Sequence, residues 1–155
     1  MSVGWPLPET SFVPGQTVRP SVSPVFEAAA SAPPLTDPAL WRENATYLYG
    51  CQLYTAGFFW EAHEVWEPVW MHAPPNSHAR ALIQGLIQLA NACLKIRMAR
   101  PHAARRLLAM SRAHIEEAGY DPVMGLDPAT LHAQISAFEA SATLDLTIRP
   151  AIVPK

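Results

Sequence analysis

Between Phe58 and Trp70 stand three carboxylates and one imidazole, Glu61, His63, Glu64 and Glu67, among three tryptophans and two phenylalanines. Charged groups are costly to take out of water unless paired, hydrogen-bonded or metal-bound. The mixture therefore predicts a half-buried polar site. Carboxylates with an imidazole suit a divalent ion such as Mn²⁺, Fe²⁺ or Zn²⁺. His63 and Glu67, four apart, and Glu64 and Glu67, three apart, can approach one ion from a single helix. His63, Glu64 and Glu67 are the candidate metal or ligand contacts, and Glu61 is the candidate base or supporting carboxylate for a hydrolytic step. The stretch from His63 to Glu67 departs from the zinc-protease pattern His-Glu-x-x-His, because its last residue is glutamate. A metalloprotease is not predicted, nor is a di-iron bundle with its Glu-x-x-His pairs.

On a helix turning about 100° per residue with Glu61 at zero, His63, Glu67 and Glu64 fall near 200°, 240° and 300°. Phe59, Ala62, Val65, Trp66 and Val69 occupy another arc and mark the core face. Trp60 and Met71 fall among the acidic groups, so the polar face is expected to meet protein or ligand as well as water. Pro68 has no amide to offer the Glu64 carbonyl, which predicts a local disturbance of the helix.

A second stripe, Arg80, Gln84, Gln88, Asn91 and Lys95, recurs at spacings of three and four along an otherwise apolar segment. If it faces the cluster, Arg80 is expected to pair with Glu64 or Glu67, and Gln84 or Gln88 to hydrogen-bond His63. Arg80, Gln84, Gln88, Trp60 and Trp70 are the expected surroundings of the site. The alternative is a non-enzymatic structural or protein-interaction domain, in which these groups form an internal salt-bridge and hydrogen-bond network.

Elements that would position these groups are legible from their ends. Asp37-Pro38 and Asp127-Pro128 are helix starts, Pro74-Pro75-Asn76-Ser77 is a stop followed by a cap, and Gly119 follows a helix end. Helices are predicted over residues 38 to about 54, 58 to 70–72, 77–99, 101–118 and 128–140. No alternating strand pattern appears between them. The fold class is all-α, a compact multihelical array of about five helices. Seven of the sixteen prolines lie in residues 1–35. That segment is read as a disordered or extended arm with a short helical turn near 25–30, from which Trp5 and Phe12 can dock. The domain is expected over residues 36–142, followed by an extended tail over 143–155.

A chain of 155 residues, half hydrophobic and 15% charged, suits one domain with a sizeable core. Its net charge of −2 makes nucleic acid an unlikely partner, and the run of basic residues from Lys95 to Arg112 reads as a solvated face. No apolar run reaches a membrane span of roughly 18 residues and no secretory signal is recognisable, so a soluble, cytoplasmic protein is expected. Cys51 and Cys93 read as reduced core residues. A small molecule or another protein is the expected partner class, and oligomeric state is left open.

The run from Gly57 to Glu67, with Trp70, followed by Arg80-Ala81-Leu82-Ile83-Gln84-Gly85-Leu86-Ile87-Gln88, resembles the domain-of-unknown-function family numbered 309. That family carries a Glu-Ala-His-Glu segment and a Gln-Gly-Leu-Ile-Gln segment. The resemblance covers about residues 41–118; Thr55 stands where the family usually has asparagine. It implies a compact multihelical fold, with Glu61, His63, Glu64, Glu67, Arg80, Gln84 and Gln88 as the shared polar set. It implies no established activity.

Overall fold

Asn44 divides the segment that was expected to form the first long helix. In the computed structural model, which describes residues 4–155, Asp37 accepts the Ala39 amide at 3.0 Å and opens a 3₁₀-helix, Pro38–Glu43. Leu40 departs from helical dihedrals (φ −107°, ψ 26°), and the Asn44 side chain then accepts the Tyr47 amide at 3.0 Å. Helix α2 starts there, Ala45–Thr55. An asparagine that bonds a downstream amide offers the backbone an alternative to continuing the preceding turn.

The remaining helices are α1, Pro24–Ala30; α3, Phe59–Met71; α4, His78–Arg97; α5, Pro101–Glu117; and α6, Pro128–Ala140. Among the described residues six α-helices form where about five were expected, and the sixth, α1, stands in the proline-rich arm where a short helical turn was expected. Its start fits the local chemistry: Ser23 accepts the Val25 amide, and Pro24 sits where a helix needs no donor. A second 3₁₀-helix, Leu146–Ile148, falls in the C-terminal segment. Among the described residues no strand forms, only an isolated bridge between Val123 and Leu126.

Successive helices pack on one another: α2 on α3, α3 on α4, α4 on α5 and α5 on α6, with α1 laid against α3. The core holds Trp66, Tyr47, Tyr54, Phe59, Leu86, Leu108 and Ile115, all fully buried. Two glycines let backbones approach. A Cβ on Gly50 would lie 2.2 Å from Trp66 Nε1, and one on Gly85 would lie 2.4 Å from Ile115 Cδ1. The Trp66 indole donates to the Tyr47 carbonyl at 3.2 Å, which fixes α3 against α2.

Both terminal segments pack against these helices. Residues 1–3 of the expected arm lie outside the described residues. From residue 4 onward the arm lies on the helices: Val13 is buried, Val25 and Ala28 have no exposed surface, and Thr46 donates to the Ala28 carbonyl at 2.8 Å. Proline density removes amide donors but leaves aromatic and aliphatic side chains free to dock. At the other end Tyr54 donates to the Pro150 carbonyl at 2.7 Å and Ile152 is buried. The Arg149 guanidinium reaches the carbonyls of Tyr54 and Thr55 at the end of α2, where a cation is favoured. Cys51 and Cys93 are buried and free. Among the described residues no helix is long and apolar enough to cross a membrane.

Candidate metal centre

Helix α3 spans Phe59–Met71 with Pro68 inside it, so the Glu64 carbonyl has no amide partner at that position. Its final turn is tied from outside: Thr36 donates through its hydroxyl to the Val69 carbonyl at 2.7 Å and through its amide to the His72 carbonyl at 3.0 Å. These bonds hold the helix end where local hydrogen bonding is weakest.

Along this helix His63, Glu64 and Glu67 come together. His63 Nε2 lies 3.3 Å from a Glu67 oxygen, and Nδ1 lies 4.0 Å from a Glu64 oxygen. One ligand atom from each of the three lies within 4.8 Å of the others. Ligands bonded to one ion at about 2.0–2.2 Å can be at most about 4.4 Å apart. A few tenths of an ångström of side-chain adjustment would therefore close the set. His63 and Glu64 are half-buried and Glu67 is exposed, which leaves room for that movement. All three come from one helix, so the opposite side of a bound ion would face water or substrate.

Glu61 is not part of this group. It is 1% exposed, and its two oxygens accept from the arm: one from the Phe12 amide at 2.7 Å, the other from the Ser11 hydroxyl at 3.2 Å. Burial raises its pKa, while the Phe12 amide, its own backbone, the Ser11 hydroxyl and the Arg97 charge pull it down. The neighbouring Tyr49 phenol is pushed up to about 12, first by burial and then by the Glu61 charge.

Trp60 resolves the oddity of an indole on a polar face. The arm covers it: Phe12 meets it edge-on at 5.1 Å, Phe26 at 6.5 Å, and the Arg19 guanidinium lies 5.6 Å from its ring. The sequence signal for this contact was the presence of aromatic residues in an otherwise proline- and serine-rich segment.

Arg80 corrects the expected network. Its guanidinium donates to the carbonyls of Ala73 at 3.0 Å and Met71 at 3.4 Å, and stacks 4.5 Å above Trp70. Among the described residues it makes no ion pair with Glu64 or Glu67, and neither Gln84 nor Gln88 hydrogen-bonds His63. Consecutive packed helices joined by a short turn explain this. Arg80, in the first turn of α4, lies level with the end of α3, beyond the acidic groups. Gln84 and Gln88 are half-buried on α4, which packs against α3. The Trp70 indole nitrogen is buried without a hydrogen-bond partner.

The fold and the cluster together define a small all-helical domain with carboxylate and imidazole groups converging on one helix. Residues 47–107 match the family model described as Domain of unknown function (DUF309). The matched stretch runs from α2 through α3 and α4 into α5 and contains Glu61, His63, Glu64, Glu67, Arg80, Gln84 and Gln88. No curated protein and no solved structure matches the chain.

Proposed function

We propose that His63, Glu64 and Glu67 bind a divalent cation on the open face of α3, with hydrolysis as the reaction class such a centre serves. The carrying observation is the convergence of three ligand atoms within 4.8 Å on one rigid helix. One imidazole nitrogen and two carboxylate oxygens suit Mn²⁺, Fe²⁺ or Zn²⁺ and leave positions for water, whose acidity the ion would raise. Glu61 is left out of the base role, because both of its oxygens are engaged by the arm. A non-enzymatic interaction domain is the second reading. It draws support from the His63–Glu67 contact, a complete pair one helical turn apart that needs no ion.

Elemental analysis of protein purified without chelator or affinity metal separates the two, combined with thermal melts in Mn²⁺, Zn²⁺ and EDTA. A metal site predicts bound metal. At an ion concentration about 100 times Kd, it also predicts a rise in Tm of roughly 5–10 °C, which Glu64→Gln abolishes. No metal and no shift would leave the interaction domain.

A further inference from the structure

We propose that Tyr49, Trp60 and Glu61 form a recognition groove for an extended, proline-flanked aromatic peptide segment, with residues 5–13 of this chain as its resident ligand. Two domain side chains read main-chain groups of the arm. The Tyr49 hydroxyl donates to the Pro6 carbonyl at 2.6 Å, and the Glu61 carboxylate accepts the Phe12 amide at 2.7 Å. Two aromatic contacts supply the anchors: Trp5 against Tyr49 at 5.5 Å and Phe12 edge-on to Trp60 at 5.1 Å. Gln16 adds one peripheral bond, to the Arg97 carbonyl at 3.0 Å. Main-chain hydrogen bonds beside aromatic pockets are the usual means of binding extended, proline-containing segments.

In this proposal residues 5–13, whose Val13 is 5% exposed, leave the groove while α1 stays in place. Residues 5–13 contain no helix, and the connection to α1 exposes Val18 at 91% and Val22 at 88%. Beyond it, Val25 and Ala28 are fully buried, so α1 stays anchored while the preceding segment detaches. Departure uncovers a carboxylate acceptor, a phenol donor and the Trp60 face together. A partner with the same chemistry, an aromatic residue with a free amide and a carbonyl six residues earlier, would satisfy all three.

The test uses the full chain carrying Trp5→Ala and Phe12→Ala, which weakens the resident segment, titrated with a labelled synthetic peptide of residues 4–19. Saturable binding is expected. It should weaken about tenfold or more when the peptide carries Phe12→Ala, and severalfold when the protein also carries Tyr49→Phe. No binding, or binding indifferent to Phe12, would overturn the proposal. Hydrogen exchange on the unaltered protein decides the matter even if the double variant fails to fold. The Phe12 amide should exchange through a local opening insensitive to low denaturant while amides of α1 and α3 stay protected. Exchange of Phe12 only through global unfolding would make the arm a fixed part of the core.

Discussion

The Phe12 amide donates to the buried carboxylate of Glu61 at 2.7 Å, across 49 positions of sequence. A carboxyl acceptor is thus held in the interior by two donors from a segment with little regular structure of its own, and the bond couples arm docking to the state of that group.

Glu61 should leave a signature in the pH dependence of stability. Burial, the largest influence, raises its pKa, so the folded protein holds this proton more tightly than the unfolded chain does. Its contribution is then full below the ordinary glutamate pKa and declines as pH rises through the raised value. Glu61→Gln removes the titration while keeping an acceptor for the Phe12 amide. Urea unfolding over a pH series should show the stability of the unaltered protein falling relative to Glu61→Gln across that window. Glu61→Ala, which orphans the amide, should lose about 1–3 kcal/mol at neutral pH. Parallel pH curves for the unaltered and Gln proteins would contradict this account.

The two close-approach glycines should differ in their tolerance of alanine. A Cβ at Gly50 would strike the rigid Trp66 indole at 2.2, 2.4 and 2.8 Å, and that ring is pinned by its bond to Tyr47. At Gly85 the nearest atom is the end of the flexible Ile115 side chain, with the Ser111 carbonyl at 3.3 Å. Gly50→Ala is expected to destabilise by about 3 kcal/mol or more, and Gly85→Ala by about 1–2 kcal/mol. Chemical denaturation of both variants checks the order.

Two arginines of α5 reach toward the end of α6 with unequal consequences. Arg105 donates to the carbonyls of Glu139, Ser141 and Ala142, groups the helix end leaves unpaired. Arg112 pairs with the Glu139 carboxylate at 3.2 Å at the surface. Arg105→Ala should lose about 1–2 kcal/mol. Arg112→Ala should lose less than about 1 kcal/mol, and most of that loss should vanish in high salt. Equal losses would mean that the carbonyl contacts add nothing.

Both thiols should be inert in the native state. Burial pushes Cys51 and Cys93 up to about 12, and both side chains are buried. A thiol reagent at neutral pH should titrate no cysteine in the native protein and both after denaturation. Rapid labelling of one native thiol would show that its surroundings open.

The chain by itself determined the helical class, most helix ends and the convergence of His63, Glu64 and Glu67. These are local matters. Ser77 caps the Arg80 amide at 3.1 Å within one turn, Pro101 and Pro128 begin helices where no amide donor is needed, and Gly119 follows α5 with φ 87°. The nearness of side chains at positions 63, 64 and 67 follows from helical pitch alone. Periodicity also marked Trp60 as out of place among carboxylates, without saying what covers it.

Tertiary structure alone decided the rest. Arg80 stacks on Trp70 and bonds carbonyls at the end of α3, because the helices meet with its first turn beyond the acidic groups. Glu61 takes its partners from an arm 49 residues away, although it lies two positions from His63. A helical repeat encodes which side chains share a face. It carries no term for which distant segment will cover that face, since this depends on aromatic fit and donor geometry that exist only after the chain has folded.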